Sequence, residues 1–550
     1  MRFTFFRHKD TTKGTLSSTE SEIIRKKHEI LIIVALCFLI RFFVAIFTGG
    51  FIHGDEIFQS LEIAHKMAFG SGFVCWEWDA GVRSYFYPLI FYGIFKGCEA
   101  LGLNYFTHTL FIIKLFNVFI ASLIPPTIYL IALEFYKNRR VAFMASLLCC
   151  FWHELLYYGI RSLTNSFAMP FIFLSVLFFL QATRKYHEKN EIERAQIVEW
   201  TITRGFFSGV MCGIAFMARI DSVVFVAPIV VWGLLLFTSK RRGKLATVFF
   251  VLGLSGMVLL QGTLDLLFYG QFLWSPVVYF KFNLLEEQSA TFGVKPFDYY
   301  FSELWTRMTV LMILFVISLC FLVIFSTYEI FSIIKSIITK STLSSSDKKQ
   351  LIVSDLLILS LIVFPLLGFS FIPHKEFRFI LSLIPWILLF VSRGAMVANQ
   401  SFSQFFGHIW NRYVARIHIK YRVYTKEIVY FPIIILFFIS LTCTTAVNSF
   451  YATWSPHQDL LRCMHWIGQQ DDATGVIALS YEFYEAGGYT HLHKDIPMRF
   501  SLIYVRQKEY NYLFVSFETL EQNEEWEAYI LDYGFQIIRL TEEHVIFHRN

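Results

Sequence analysis

Charge is scarce in this sequence: Asp, Glu, Lys and Arg make up 16% of its 550 residues, against 55% hydrophobic residues and 63 phenylalanines. No soluble domain of this size could keep that much apolar surface away from water, so the bilayer has to be the solvent for much of the chain. The short motifs of several chemistries are missing too. There is no glycine-rich phosphate cradle, no HExxH zinc helix and no GxSxG nucleophile elbow, so nothing supports ATP or nucleotide-sugar use. The nine cysteines show no CxxC or metal-type spacing. Most lie inside apolar runs, where a thiol acts as a small hydrophobe. Cys75, Cys98 and Cys463 fall outside those runs; one disulfide among them is possible and none is required. There is no internal repeat, and no low-complexity tract beyond Ser341 to Ser346.

What is present is a series of long apolar runs. Crossing a hydrocarbon core of about 30 Å takes about 20 mainly apolar residues, and about eleven segments qualify. They lie near 30–48, 107–134, 141–158, 166–182, 203–218, 222–238, 245–268, 306–327, 352–371, 379–397 and 429–449. Lys and Arg concentrate in the alternate connections on the N-terminal side, such as Lys240-Arg241-Arg242 and Arg412 to Lys426. Short cytoplasmic loops keep positive charge, so the N-terminus is expected in the cytoplasm. An odd number of spans then puts the tail on the far side. The net charge of +6 reads as a topogenic signal, not a nucleic-acid footprint. The first run has basic flanks but no small-residue cleavage site before His53, and reads as an uncleaved signal anchor.

Three regions follow. Residues 1–28, Ser/Thr-rich and basic, are expected to be a disordered cytoplasmic lead. Residues 29–449 form the membrane domain, with an unusually long first far-side loop at 49–106. Residues 450–550 change character: short apolar runs at Gly475 to Leu479, Tyr512 to Val515 and Phe535 to Leu540 alternate with helical stretches. They predict a small α/β domain.

The polar chemistry gathers on that far side. Immediately after the first span stands His53-Gly54-Asp55-Glu56, followed in the same loop by Trp76, Glu77 and Arg83. Acids, aromatics and a base thus occur where a sugar-binding cleft would need them, although an acidic pair alone would be an ordinary solvated loop. Arg161 with Asn165, Arg219 with Asp221, and Asp265 followed by Tyr269, Trp274 and Asn283 recur at far-side span ends. Ionisable groups at membrane depth are costly and normally face a cavity. Arg219 with Asp221 reads equally well as a structural pair. His374-Lys375-Glu376-Phe377-Arg378 offers three cations that could neutralise a phosphate, Arg378 as a fork and Lys375 as a mobile point charge. Snorkelling explains one such cation, but neither His374 nor Glu376. His491 and His493 could be ligands, but packing is the simpler role.

These residues resemble a known family. The run His53-Gly54-Asp55-Glu56-Ile57-Phe58-Gln59-Ser60-Leu61-Glu62-Ile63-Ala64-His65, with Trp76-Glu77-Trp78 and Arg83-Ser84-Tyr85, resembles the first luminal loop of the GPI mannosyltransferases of glycosyltransferase family 22. His374 to Phe379 is similar to that family's second signature, and Asp265, Tyr269-Gly270, Trp274, Phe282-Asn283 and Phe292-Gly293 to the motif between them. Arg161 and Asn165 also fit. The likeness runs from about residue 30 to 390 and looks most like the members that add the third mannose of the GPI core.

The resemblance implies a polytopic α-helical C-type glycosyltransferase (GT-C) fold in the endoplasmic reticulum membrane. It implies dolichyl-phosphate mannose as lipid-linked donor, no separate cofactor or metal, and a GPI precursor as acceptor. It also implies inversion to an α-1,2 linkage, a single displacement needing one base and a stabilised leaving phosphate. Asp55 is the expected base with Glu56 in support, and His374, Lys375 and Arg378 would meet the phosphate. His53, Trp76, Glu77, Arg83, Arg161, Asn165, Asp265, Tyr269, Asn283 and Glu376 complete the expected binding set. Two other readings stand beside this one. The same chemistry could act on another acceptor: the fourth GPI mannose, an N-glycan precursor or a prokaryotic lipid-linked glycan. A transporter or flippase would show an inverted repeat with interrupted helices, which this sequence lacks.

Overall fold

Lipid offers no hydrogen bonds, so each apolar run must close its own backbone ladder, and the only way to do this within one segment is a helix. The computed structural model describes residues 18–183, 191–235, 241–338, 345–414 and 455–550. Eight of its helices are long and apolar enough to span: Ile24–Phe47, Tyr105–Tyr136, Thr164–Thr183, Arg194–Ala218, Arg242–Tyr269, Thr309–Phe331, Lys349–Ser370 and Phe377–Asn399. The pair Arg139–Phe151 and His153–Gly159, bent by 55°, is long and apolar enough to span only when the two are taken together. The run at 222–238 yields only the shorter Ile220–Leu235. The run at 429–449 and most of Arg412 to Lys426 lie outside the described residues.

The first helix begins at Ser18, inside the lead expected to be disordered. Its early turns alternate base and acid at helical spacing, as in Arg25 and Glu29, 3.6 Å apart, and such pairs support a helix even in water.

Two helices form the centre. Phe377–Asn399 and Thr164–Thr183 are enclosed along most of their length, and Trp386 of one meets Phe173 of the other with ring centres 5.0 Å apart. The outer helices, Ile24–Phe47 and Thr309–Phe331, turn residues such as Leu31, Phe47 and Ile324 outward, as a lipid-facing surface requires. Between Arg194–Ala218 and Arg242–Tyr269 the contact is made by glycine. Gly205, Gly209 and Gly213 repeat every fourth residue and face the neighbour with Gly253, so that a Cβ at Gly209 would overlap the Phe250 carbonyl oxygen. In the absence of a hydrophobic drive between helices, such small-residue stripes let backbones approach closely.

The tail forms one five-stranded sheet of order β2-β1-β3-β5-β4. The strands are β1 (Val476–Ala478), β2 (Met498–Arg499), β3 (Tyr512–Ser516), β4 (Gln536–Leu540) and β5 (His544–His548). β1 lies parallel to β2 and β3, and β5 is antiparallel to β3 and β4. Three strands match the apolar runs read from the sequence; β2 and β5 lie outside those runs. The sheet domain rests on the first far-side loop, and Phe51, Ile57, Phe58, Ile63 and Trp78 share one core with Leu460, Met464, Val476 and Phe514. Among the described residues every cysteine is a free thiol, including Cys75, Cys98 and Cys463.

Candidate active site

The first helix stops at Gly49-Gly50, where Gly50 takes a positive φ of 61°. Two clamps fix the turn. Arg161 donates to the carbonyls of Gly49 and Gly50 at 3.0 and 2.7 Å. From the tail, Ser455 Oγ accepts from Gly49 N at 2.9 Å and the Pro456 carbonyl accepts from Phe51 N at 3.0 Å. A new helix then starts at once, its first turn closed by Glu56 N to His53 O and Phe58 N to Gly54 O.

Adjacent residues on a helix point about 100° apart, and the two acids accordingly meet different surroundings. The Asp55 side chain keeps 23% of its surface exposed and its Oδ2 lies 2.5 Å from Arg378 Nη2. Its other oxygen is 3.3 Å from His53 Nδ1. Burial would raise the Asp55 carboxyl, but Arg378, His53 and Arg83 outweigh it and hold the group well below the usual carboxylate range. Glu56 is turned inward, 5% exposed, with Oε1 accepting from Ile52 N at 2.5 Å. Burial lifts its carboxyl, opposed by Arg161 and by the Ile52 and His53 backbone N–H groups.

Arg378, which starts the central helix, joins the two signatures of the sequence. Its guanidinium reaches Glu376 through Nε (2.6 Å) and Nη2 (2.9 Å) as well as Asp55. Its carbonyl accepts from Asn165 Nδ2 at 3.0 Å, and Asn165 Oδ1 accepts from Arg219 Nη1 at 2.9 Å. Arg219 in turn is paired with Asp221 at 2.6 Å. His374 Nε2 lies 3.1 Å from Glu376 Oε1 and its Nδ1 3.3 Å from the Gly293 carbonyl. Burial raises the Glu376 carboxyl, but His374 and Arg378 prevail and push it down to about 2. Glu376 in return holds His374 protonated above its ordinary value, against burial. A second pair flanks the first: Glu77 Oε1 accepts from Arg83 Nη2 at 2.6 Å and from Gln59 Nε2 at 3.3 Å.

The other expected residues divide. Trp76 packs against both Phe282 (5.1 Å) and Phe292 (5.4 Å) in an aromatic cluster, joining the first loop to the 281–292 segment while staying 41% exposed. Tyr269 donates to the Arg83 carbonyl at 2.8 Å and so shapes the site from behind. Asp265 is buried, both oxygens taken by Gln261 and by the backbone and hydroxyl of Ser275; it staples the turn after its helix. Asn283 donates to Tyr279 O in its own segment at 2.9 Å. Lys375 was expected as a mobile charge; instead it is 4% exposed, its Nζ bonded to the Lys295 carbonyl at 2.9 Å. His491 pairs with His465 at 2.9 Å, and His493 stacks on Tyr105 and bonds His65 at 2.9 Å, so both pack the tail. Glu62, to which the sequence reading gives no role, is fully buried and accepts from Phe73 N, Tyr489 N and both Thr490 donors. The one signal was its spacing, two helical turns after Asp55.

A family profile described as the Alg9-like mannosyltransferase family matches residues 32–493. Similar proteins include GPI alpha-1,2-mannosyltransferase 3 of Bos taurus, 27% identical over 343 residues that cover 61% of this chain and 53% of the relative. GPI mannosyltransferase 3 of Debaryomyces hansenii is 25% identical over 413 residues, 72% of this chain and 65% of its own. The match to the Homo sapiens protein named GPI alpha-1,2-mannosyltransferase 3 is 26% identical and covers 52% of it, so the chain spans about half the length of its mammalian relatives. Among solved structures, ArnT from Cupriavidus metallidurans bound to undecaprenyl phosphate superposes with a TM-score of 0.55 at 10% identity, covering 94% of this chain and 97% of that one. That likeness is one of fold.

Proposed function

Because the chain belongs to the Alg9-like mannosyltransferase family and has the C-type glycosyltransferase fold, we propose that it is an α-1,2-mannosyltransferase. In this reading it moves mannose from dolichyl-phosphate mannose to a GPI precursor, adding the third mannose in the endoplasmic reticulum membrane. The observation that carries the reading is the Arg378 fork, held by Asp55 at 2.5 Å and by Glu376 at 2.6 Å. The planar guanidinium fork is complementary to a phosphate in charge and shape, and the two carboxylates fix where it points.

The proposed reaction then runs in a definite order. While Arg378 holds Asp55, the carboxylate is ionised but a weak proton acceptor. A donor phosphate competes for the same guanidinium, loosens the pair and raises the proton affinity of Asp55 as the reaction needs it. The acceptor hydroxyl then attacks the anomeric carbon, its proton passes to Asp55, the bond to phosphate oxygen breaks, and the negative charge goes to the leaving dolichyl phosphate facing Arg378 and His374. Glu56 is too enclosed to touch an acceptor, so it supports the turn. Relatives named GPI alpha-1,2-mannosyltransferase 3 favour the GPI precursor among possible acceptors.

The test is transfer of radiolabelled mannose from dolichyl-phosphate mannose by the purified protein into a two-mannose GPI precursor, an N-glycan precursor and a three-mannose GPI precursor. The first should be the substrate. Asp55→Asn keeps the side chain's size but cannot accept a proton, so turnover should fall about a hundredfold or more with donor binding retained. Labelling of only another acceptor would overturn the substrate assignment; near-normal Asp55→Asn turnover would overturn the base.

A further inference from the structure

The helix turn that carries Asp55 has two neighbours. The Asp55 carboxylate meets Arg378, the phosphate side in the reading above. Gly54 and Phe58 meet the sheet domain: a Cβ on Gly54 would lie 2.5 Å from the Tyr484 carbonyl oxygen, and the Phe483 ring stands edge-on to Phe58 at 5.6 Å. The turn that makes this contact, Glu482 to Glu485, is built to hold its shape. Glu482 and Glu485 cap each other's backbone, and the residue before them, Tyr481, has its hydroxyl 2.5 Å from His544 Nε2. His544 is tied through Nδ1 to Asp459 at 2.8 Å, and both are buried. A rigid base thus presents two large aromatics at the surface, Phe483 at 37% and Tyr484 at 44% exposure.

Exposed aromatic faces beside carboxylates are what a carbohydrate needs, since sugar C–H faces stack on rings and hydroxyls donate to acids. A lipid surface suits them poorly, because Glu482 and Glu485 flank the rings. We propose that the 482–485 turn is the acceptor-glycan subsite, with Phe483 and Tyr484 stacking on the sugar that precedes the attacking hydroxyl. This rests on the glycosyl-transfer reading. Gly54 is then a fitting residue, its missing side chain leaving room for the turn to close on the base.

Two measurements separate this inference from the reading it rests on. With the full-length protein, Phe483→Ala/Tyr484→Ala should raise the KM for the acceptor glycolipid about tenfold. The KM for dolichyl-phosphate mannose and the kcat at saturating acceptor should stay put, and Tyr484→Trp should restore acceptor affinity. Independently of turnover, saturation-transfer NMR with a soluble α-linked dimannoside should show binding to the wild type and not to the double variant. An unchanged acceptor KM, a donor KM that rises in step, or a loss seen only in liposomes and not in detergent would overturn the subsite; the last would make the turn a membrane contact. If the wild type binds the dimannoside through this turn yet transfers nothing, the transfer reading fails and the subsite stands. No dimannoside binding together with no transfer overturns both.

Discussion

At the scale of single residues, Arg378 carries the most weight, because one guanidinium bonds both Asp55 and Glu376. Arg378→Lys keeps the charge but not the fork, and cannot span Glu376 and Asp55 together. Losing one charge-assisted hydrogen bond costs about 1.5–3 kcal/mol, roughly a ten- to hundredfold drop in kcat/KM for the donor. Steady-state kinetics on the purified variant, with expression and melting unchanged, reads this directly. Unaltered kinetics would make the pair structural only. His374 adds a pH leg. Its bond to Glu376 raises it above the ordinary 6.5, so the cation is complete below pH 6.5 and is lost as pH rises through the raised value. Donor affinity should therefore weaken on the alkaline side, and His374→Gln should be weaker throughout and flat over that range. Fluorescence or calorimetric titration with the donor from pH 6 to 9 checks the slope.

At the scale of elements, the sequence made visible what is local and hid what is paired across distance. The apolar runs marked the helices, and acids next to aromatics in one loop marked the candidate site, because both are properties of neighbours in the chain. Asn165 holding the Arg378 carbonyl joins residues far apart in sequence, and neither side chain announces the other. Asp265 read as a binding group from charge at a span end, whereas its hydrogen bonds go to Gln261 and Ser275; a buried carboxylate satisfied by its own turn looks the same in sequence as one awaiting a ligand. The glycine stripe was legible in principle, since Gly205, Gly209 and Gly213 stand in a four-residue repeat. It makes a clean prediction. Gly209→Leu would drive a side chain into the Phe250 backbone and force the helices apart, costing about 1–3 kcal/mol. Gly256 on the partner helix has open space around its Cβ position, and Gly256→Ala should be neutral or slightly stabilising. Thermal melting of both in one detergent decides the matter: equal melting points would mean that the two helices do not depend on close glycine contact.

At the scale of the whole molecule, contacts argue the topology without counting every span. The Ile24–Phe47 helix separates the N-terminal segment from Asp55 by one membrane crossing. Glu29 and Arg139, paired at 2.5 Å, mark the end away from the site. The tail, in contrast, touches the site's own loop. Ser455 and Pro456 hold Gly49 and Phe51, Tyr105 donates to the Thr490 carbonyl at 2.8 Å, and Glu62 binds the backbone of Tyr489 and Thr490. A sheet domain that bonds to the Asp55 loop has to lie on the Asp55 side. The two ends of the chain are therefore expected on opposite faces, with the N-terminal face expected in the cytoplasm from the excess of Lys and Arg in the other connections. The consequence can be measured in sealed microsomes. An epitope ahead of Arg25 should be digested by added protease, an epitope after Asn550 should be protected until detergent is added, and an engineered glycosylation acceptor there should be modified. A protected N-terminal tag with an exposed C-terminal one would invert the orientation. Two tags on one face would require the sheet domain to leave the loop that positions Asp55, and with it the arrangement on which the proposed chemistry depends.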